Sequence, residues 1–495
     1  MRHAGSLLAV ACAVFIAGCA STHGLAPASQ PRDADALAVE HSVNATSDAQ
    51  FPRQDWWKAL GDPQLDALID EALAGTPSLA AADARVRQAM AQAGLADAAR
   101  KPTVGATAQY SGFILPENIA GSDLGGEFQS FYLVGLTFKW SLDLWGGHAA
   151  QWHAALDQAR AAEVEAQAAR LMLASNVARA YIGLAQAEDA AKTADAEAAR
   201  ASQLADLSGQ RVQAGLDNQL QLRNAEATIA AAKQQAQAGR QQSDAARNAL
   251  AALLGKGPDR GLAIAPPALL QMPSPVVPAV LPSELLGHRP DVVAARWRVE
   301  AAGQRIHAAK ADFYPTVNLT ALVGLAAGDP SDLFGSNALL ASGGPALSLP
   351  IFDGGRLRSQ LAKTDADYDL AVADYDQTLV GAVREVADAV QAARSLDAQL
   401  LSARDARDAA QRAYDLATSR YRAGLGTQLD VLAAQRPLLQ FDQQLVALRA
   451  QRLGATVDLQ RALGGGLAIS HPIALNTADV SPPPTADRSA KASTR

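Results

Sequence analysis

The sequence predicts an α+β membrane protein with an internally duplicated protomer, in which two β-hairpins give four transmembrane strands beside long antiparallel α-helices. Three observations predict this class: a block of sequence that occurs twice, two helical segments of unusual length, and four segments in which apolar and polar residues alternate. They also predict a trimer that forms a shared β-barrel of about twelve strands, with about twelve helices across.

A long block of the sequence occurs twice. Residues 211–216, Arg-Val-Gln-Ala-Gly-Leu, match residues 420–425, Arg-Tyr-Arg-Ala-Gly-Leu, and the Pro-Thr-Val of 102–104 returns at 315–317. The offset between the copies is 213 residues early in the block and 209 residues later. Repetition over this length indicates that one supersecondary unit has been duplicated, so both copies are expected to fold in the same way.

The duplication divides the chain into consecutive segments, because the two copies are flanked and separated by stretches of different composition. The segments are 1–18 for a lipoprotein signal peptide, 19–60 for a lipidated N-terminal tether, 61–254 for the first repeat, 255–282 for a Pro-rich stretch, 283–464 for the second repeat, and 465–495 for a tail that ends in a disordered stretch.

Each repeat contains one helical segment that is much longer than the helices of compact domains. Residues 147–209 and 356–422 are almost free of Gly and Pro, so each predicts a helix of about 95–100 Å. A turn follows, after which Asp217 or Thr427 is expected to cap a return helix. A solvated single helix or an ordinary coiled coil is the alternative. The shorter helices are predicted at 77–100, 217–254, 291–312 and 427–463.

Between these helices the period of the apolar residues changes from 3.6 to 2, the period of a β-strand. In 128–142 the even positions are almost all apolar, whereas Gln129, Lys139 and Ser141 lie opposite. Alternation over ten or more residues is typical of transmembrane strands that face lipid on one side and a polar lumen on the other. A half-buried sheet of a soluble domain is the alternative. The strands are predicted at 103–115, 128–142, 316–327 and 339–351.

Two hairpins leave the sheet open at both edges. An open edge in lipid leaves backbone N–H and C=O groups without partners, at a cost of several kcal/mol for each group. Three copies give about twelve strands and can enclose a channel, whereas a dimer of about eight strands would leave a filled lumen. A homotrimer with one shared barrel in a lipid bilayer is therefore predicted.

The N-terminus has the features of a bacterial lipoprotein signal peptide. A short basic region precedes an apolar run from Leu7 to Ala17, which is too short to span a bilayer. The run ends Ile-Ala-Gly-Cys, so Cys19 is the predicted lipidation site. Cys12 lies in the removed part, so the mature chain has no pair of cysteines for a disulfide. An ordinary signal peptide with an incidental cysteine is the alternative.

No combination of residues in the sequence supports catalysis. The chain lacks a His-Glu-x-x-His pair, a phosphate-binding glycine loop and a Gly-x-Ser-x-Gly turn. Its formal net charge of −7 argues against nucleic acid as a partner. The expectation is that the protein is not an enzyme, binds no metal, and carries no cofactor other than the covalent lipid on Cys19.

Four motifs resemble the outer-membrane factors of the TolC type, in the lipoprotein branch called NodT-like. They lie at 281–292, 315–317, 348–356 and 420–432, in the order and spacing of that family. The resemblance covers nearly the whole mature chain. It implies the outer-membrane exit channel of a tripartite efflux system, a homotrimer that passively conducts substrates from an inner-membrane pump and a periplasmic adaptor to the outside. The resemblance also implies that the shared β-barrel is surrounded by outer-membrane lipid and is continuous with a periplasmic α-helical barrel.

The same resemblance implies further features of the assembly. The pump is usually of the resistance-nodulation-division type, and the channel is anchored in the outer membrane by its lipid and extends into the periplasm. Residues 255–282, with part of 465–495, correspond to an equatorial belt around the helices. Two alternatives stay open, the duct of a type I protein-secretion system and a non-conducting structural lipoprotein of the periplasm.

The resemblance places both helix-hairpin turns at the periplasmic end, where the adaptor docks. The two Arg-x-x-Ala-Gly-Leu copies match the tip motif of the family. The alternative is that these residues only form the turns of the helix hairpins. The predicted docking residues are Arg211, Gly215, Leu216, Arg420, Gly424, Leu425 and Thr427.

A gate near the same end is also implied by the resemblance, with polar links between helices and rings of acidic residues. Asp217 and Asp430 are the candidates, because three copies of a carboxylate around a narrow axis produce a strong local field. Many relatives have Asp where this chain has Ala433, so the ring at that position is lacking. A solvated or ion-paired surface position is the alternative for Asp430.

Overall fold

The computed structural model describes residues 22, 24–33, 37, 52–114, 116, 118, 126–271 and 288–466. The predicted signal peptide, Cys19, nearly all of the predicted tail and the later part of the Pro-rich stretch lie outside the described residues.

The described residues form long helices and one antiparallel sheet. Two short 3₁₀ helices, Trp56–Leu60 and Leu269–Gln271, accompany them. The other elements, in chain order, are α1 (Pro63–Gly75), α2 (Pro77–Ala98), β1 (Thr103–Ile114), β2 (Phe128–Leu142), α3 (Gly147–Gln213), α4 (Gln219–Leu253), α5 (Pro258–Leu262), α6 (Pro290–Ala311), β3 (Thr316–Ala327), β4 (Leu339–Ser348), α7 (Arg356–Arg422) and α8 (Gln428–Ala462).

The sheet has the order β1-β2-β3-β4, and each neighbouring pair of strands is antiparallel. The register aligns the apolar residues of different strands on one face, where Leu136 lies between Ala106 and Val323. In the single chain this face is exposed, and Leu136 and Val104 have 57% and 70% of their surface accessible. Polar residues share the opposite face, as expected for a section of barrel wall.

Strand β4 ends at Ser348, although the alternation of the sequence predicted a strand to residue 351. The last register pair of the sheet joins Thr316 to Ser348, and Pro350 follows two residues later. The partner strand β3 begins at Thr316, directly after Pro315, so the residues beyond Ser348 have no strand to pair with even though the apolar pattern continues. Strands β1 and β4 form the edges of the sheet, and they are the strands that pair between protomers in a closed barrel.

Strands β2 and β3, which join the two hairpins, approach each other most closely at a pair of glycines. Gly135 and Gly324 are register partners on the polar face. A Cβ atom at Gly324 would lie 2.4 Å from the carbonyl oxygen of Val134, and one at Gly135 would lie 2.9 Å from the carbonyl oxygen of Val323. Only glycine allows the two hairpins to come this close.

Helices α3 and α7 contain 67 residues each and are therefore about 100 Å long. Helix α3 continues beyond Gly209, where its end was predicted, and ends at Gln213. A single glycine lowers helix stability by only about 1 kcal/mol, which the surrounding helix-forming residues outweigh. The helix stops where the chain needs a left-handed residue, and Gly215 supplies it with φ of +71°.

Both long helices start directly after a strand, where an aspartate satisfies their first free N–H groups. Asp143 accepts from the N–H groups of His148 and Ala149 at 3.2 and 2.7 Å. Asp353 accepts from those of Gly355 and Leu357 at 3.0 and 2.8 Å. The sharp turn from strand to helix is therefore built in the same way in both repeats.

Helix α3 lies at the centre of the chain. It contacts α2 and α6, then α4 and α8, while α7 packs against α6 and α8 on the far side. The main apolar core joins α3 to the segment before it and to α8, with Trp57, Leu68, Tyr181 and Leu453 among its buried members. Among the described helices, none combines the length and apolar character that crossing a membrane requires.

Part of the predicted tether is an extended strap on the groove between α6 and α7. The N–H groups of Ala28 and Ser29 donate to Asp369 at 3.0 and 2.8 Å, and the N–H of Arg32 donates to Asp376 at 2.9 Å. The strap follows α7 away from the sheet, and its hydrogen bonds explain why a polar, Ala-rich segment lies in a fixed place.

Candidate functional site

The two helix-hairpin tips have the same backbone. The first tip covers residues 211–221 and the second covers 420–430. Gly215 and Gly424 have φ of +71° and +73°, which suits glycine. In each turn the N–H of the next leucine donates to the carbonyl of the leading arginine, at 2.8 Å in the first tip and 2.9 Å in the second. The repeated motif thus forms the same helix end twice.

The return helices begin with different caps. Asn218, not Asp217, caps α4. Its side-chain oxygen accepts from the N–H of Leu220 at 2.9 Å, and its own N–H donates to Gln221 Oε1 at 2.9 Å, which completes a capping box. Thr427 caps α8 as predicted, and its N–H and hydroxyl both donate to Asp430 at 2.8 Å. These bonds hold the pKa of Asp430 below its usual value. Asp430 is therefore part of a local helix cap, while Asp217 is left for another contact.

Asp217 links the first tip to the second. It accepts from Arg211 Nε at 2.9 Å and from the hydroxyl of Tyr421, which lies in the second repeat. Arg211 also donates to the carbonyl oxygen of Tyr421 at 3.2 Å, and its guanidinium lies 4.6 Å from the centre of the tyrosine ring. Charge, hydrogen bonds and a cation–π contact therefore all join the two hairpins here.

A second set of hydrogen bonds lies directly beside the first. The Nε2 group of Gln428 donates to Ser208 Oγ at 3.0 Å and to the Gln221 carbonyl oxygen at 2.9 Å. The hydroxyls of Ser208 and Tyr421 are 3.3 Å apart. Ser208 and Tyr421 are fully buried, and Gln428 is 4% exposed. We call Ser208, Arg211, Asp217, Tyr421 and Gln428 the tip latch.

Burial and hydrogen bonding act in opposite directions on the carboxylate of the latch. Burial raises the pKa of Asp217, but the hydrogen bonds from Arg211 and Tyr421 outweigh it and hold the pKa below its usual value. Burial raises the pKa of the Tyr421 hydroxyl, and the bond to Asp217 raises it further. At neutral pH the latch therefore consists of a carboxylate, a guanidinium and a neutral phenol.

The outer surface of both tips is apolar at matching positions. Leu216 and Leu220 are 65% and 66% exposed in the first tip, and Leu425 and Leu429 are 70% and 74% exposed in the second. An exposed leucine contributes no burial free energy to the fold, yet each tip exposes two leucines four positions apart. The repetition in both tips indicates a surface that another molecule covers.

The structure places the predicted tip residues in three settings: in the latch, on the outer surface and in the turns themselves. Arg211 and Asp217 lie together in the latch, where 15% and 10% of their side chains are exposed. Leu216 and Leu425 lie on the outer surface, and Arg420 donates to the Leu425 carbonyl oxygen at 3.3 Å. Gly215 and Gly424 shape the turns.

Three latch residues were missed from the sequence, namely Ser208, Tyr421 and Gln428. Their contacts join positions more than 200 residues apart, as in the bond between Tyr421 and Asp217. One signal was available: the repeated motif has Tyr421 where the first copy has Val212. A tyrosine that replaces an aliphatic residue at a matched, buried position brings a hydroxyl that needs a partner.

Comparisons with known proteins agree with this architecture. The family model described as outer membrane efflux protein matches residues 68–256 and 281–465, one match in each repeat. The crystal structure of the outer membrane protein VceC from Vibrio cholerae covers 84% of this chain and 100% of its own, with a TM-score of 0.79 and 36% identity. The outer-membrane channel OprN has the same TM-score at 29% identity, covering 90% of this chain and 98% of its own.

Among curated relatives, the fusaric acid resistance protein FusA of Burkholderia cepacia is 39% identical over 73% of this chain and 69% of its own length. The multidrug resistance outer membrane protein MdtP of Escherichia coli strain K12 is 31% identical over 91% of this chain and 94% of its own. The pyoverdine export outer membrane protein OpmQ of Pseudomonas aeruginosa is 32% identical, with 93% and 97% covered.

An open four-stranded sheet with one apolar face, continuous with helical columns about 100 Å tall, defines a protomer of a trimeric outer-membrane channel. The chain belongs to the outer membrane efflux protein family, and it is an outer-membrane exit channel for efflux. The predicted fold class and the predicted exit-channel function are confirmed. Proteins of this family transport solutes with an adaptor and an inner-membrane pump and carry no cofactor.

Proposed function

We propose that this channel receives its substrates from a pump of the resistance-nodulation-division type, through a periplasmic adaptor that docks on the two tips. The observation that carries the proposal is the matched pair of exposed leucines on each tip, Leu216 with Leu220 and Leu425 with Leu429. Gly215 and Gly424 hold these leucines outward, and Arg420 and Thr427 lie beside them. We leave Arg211 out of the docking surface, because the latch uses its guanidinium.

Docking on the leucines predicts that Leu220→Asp combined with Leu429→Asp weakens adaptor binding at least tenfold. Burial of one leucine contributes about 1.5–3 kcal/mol, and a tenfold change in affinity corresponds to about 1.4 kcal/mol. Binding of the purified adaptor to the detergent-solubilised trimer measures the effect. Leu262→Asp is the matched control, because Leu262 is 73% exposed but lies in α5, away from the tips, and Leu429 is 74% exposed.

Equal loss of binding in the control, or unchanged binding in the tip variant, would contradict docking on these leucines.

The class of pump is identified by isolating the assembled complex. Cross-linking in cells, followed by purification through the channel, is expected to recover a resistance-nodulation-division pump. Recovery of an ATP-driven exporter with a protein substrate would instead favour the type I secretion alternative.

We further propose that Cys19 carries the lipid that anchors the channel. Leu25 packs against an apolar cluster that includes Phe313 and Leu357, at the end of α6 and α7 that adjoins the sheet. The six peptide links from Cys19 to Leu25 span at most about 20 Å when extended. A lipid on Cys19 could therefore reach the membrane surface next to the barrel without displacing the strap.

The anchor predicts a defined mass for the mature protein. Intact-mass spectrometry of the purified chain is expected to give the sequence from Cys19 onward plus a diacylglyceryl group and a fatty acyl group. Cys19→Ser is expected to lack these groups. A mature protein that starts elsewhere, or that starts at Cys19 without added mass, would refute lipidation while leaving the channel function intact.

A further inference from the structure

The barrel wall contains a single charged residue. Within the four described strands, Lys139 of β2 is the only Asp, Glu, Lys or Arg. It is exposed in the single chain, and no carboxylate among the described residues forms an ion pair with it. The carboxylate of Asp97, which precedes the adjoining strand β1, is paired with Lys101 at 2.5 Å. The charge of Lys139 is therefore not neutralised by its surroundings.

The register places Lys139 on the polar face of the sheet. Its partners are Thr103 on β1 and Thr320 on β3, whereas Phe138 and Trp140 on either side belong to the apolar face. A lysine on the lipid face of a barrel is destabilising, so this position is on the lumen side. Lysines often protect exposed sheet edges from further pairing, but β2 is an inner strand with a neighbour on each side. Edge protection therefore does not explain Lys139.

In the trimer, the three copies of Lys139 form a ring around the axis of the barrel. Three copies of Lys139 lie at one height, about 10 Å from the periplasmic end of β2 at Leu142. Twelve strands about 4.8 Å apart and tilted by about 40° enclose a backbone cylinder about 24 Å across. With lysine side chains reaching inward, the three ammonium groups lie closer to the axis than the Debye length of about 10 Å at 0.1 M salt. Their field therefore fills the cross-section of the lumen.

We propose that Lys139 makes the outer-membrane section of the channel selective for anions, so that it favours negatively charged solutes over cations of the same size. Rings of lysine or arginine select anions in pores by the same physical effect. The selectivity arises in the barrel and does not depend on how the tips dock or open. The proposal rests on the exit-channel function of the family. Beyond that function, it states which charge the barrel favours in a solute.

Thiol modification next to the ring tests the proposal without passing the tips. Ser141→Cys and Thr137→Cys, in separate variants, each place a thiol two residues from Lys139 on the same face. Their rates of reaction with an anionic and a cationic methanethiosulfonate of similar size are measured on the trimer, and a neutral reagent corrects for access. With Lys139 present, the ratio of the anionic to the cationic rate is expected to exceed that with Lys139→Gln by about fivefold at 0.1 M salt.

Further variants separate charge from shape. Lys139→Arg is expected to keep the preference, and Lys139→Glu is expected to reverse it. At 1 M salt the Debye length is about 3 Å, so the preference should largely disappear. An unchanged ratio in Lys139→Gln at both thiol positions, or a preference that persists in 1 M salt, would overturn the proposal. Failure of the neutral reagent to react at either position would show that these residues do not face an open lumen, and would count against the exit channel itself.

Discussion

Replacement of Arg289 by alanine is expected to destabilise the protein by about 3 kcal/mol, because it removes a buried guanidinium that joins two partly exposed carboxylates to a helix-end carbonyl. Arg289 is 5% exposed and precedes α6 in the motif His-Arg-Pro-Asp. It donates to Asp291 at 3.0 Å, to Glu385 on α7 at 3.1 Å, and to the Ala462 carbonyl oxygen at the end of α8 at 3.1 Å. Three helices therefore meet at this guanidinium.

The expected loss has several physical contributions. Without Arg289, the carboxylates of Asp291 and Glu385 lose their shared partner, and the Ala462 carbonyl loses a hydrogen bond in a buried place. Packing at this junction leaves little room for rearrangement, since a Cβ atom on Gly464 would lie 1.7 Å from the His288 carbonyl oxygen. Arg461 can still contact Glu385, at 3.5 Å, but Asp291 and the Ala462 carbonyl lose the donor that Arg289 supplied.

Arg461→Ala is the matched control for this prediction. Arg461 also contacts Glu385, at 3.5 Å, but its side chain is 26% exposed. Exposed ion pairs contribute about 0–1 kcal/mol, so the control is expected to lose less than about 1 kcal/mol. Unfolding of the solubilised trimer in guanidinium chloride, followed by helical circular dichroism, measures both. Similar losses in the two variants would mean that the buried network does not hold the junction.

The elements of the fold could be predicted from the sequence because their signals are local. The alternation in 128–142 and the scarcity of Gly and Pro in the long helices both depend only on residues that are close in the sequence. The end of β4 was missed because the partner strand β3 begins only at Thr316, while the apolar pattern of β4 continues beyond the paired Ser348. The cap of α4 was assigned to Asp217 rather than Asn218, since both residue types are good caps and only the tertiary contact of Asp217 decides between them.

The functional contacts could be predicted only in part, because they join the two repeats. Arg289 was visible as part of a motif, but its acceptor at Ala462 is 173 residues away. Likewise Asp217 was a gate candidate from the resemblance, whereas its partner Tyr421 was not. Two latch residues, Asp217 and Tyr421, differ from their counterparts Gly426 and Val212, so the repeat alone could not predict that they meet.

Replacement of Asp217 by alanine is expected to increase the single-channel conductance of the purified trimer, if the tip latch holds the periplasmic end closed. The latch joins the α3–α4 hairpin to the α7–α8 hairpin of one chain, so the two hairpins cannot move apart while it is intact. Hydrogen bonds to charged groups contribute about 1.5–3 kcal/mol each. Loss of the bonds to Asp217 therefore shifts the balance towards the open state by at least about tenfold.

Two further variants separate the latch from general damage to the tips. Tyr421→Phe removes the hydroxyl but keeps the buried ring, and it is expected to increase the conductance in the same direction. Asp430→Ala removes one half of the capping box of α8, which costs less than the about 0.5–2 kcal/mol of a lost N-cap residue and breaks no contact between the hairpins. It is expected to leave the conductance unchanged. An increase with Asp430→Ala and none with Asp217→Ala would assign the gate to the other carboxylate.

The pH dependence of the closed state follows from the same carboxylate. The hydrogen bonds from Arg211 and Tyr421 need the charged form of Asp217 and hold its pKa below the usual value. A lowered pKa means that the latch is fully formed at neutral pH and is lost only as the pH falls through that lowered pKa. Wild-type conductance is therefore expected to stay low from pH 7 to about 5 and to rise in stronger acid, below the usual carboxylate pKa of about 3.9. In Asp217→Ala the rise should be absent, whereas an equal rise in both proteins would place the acid-sensitive group elsewhere.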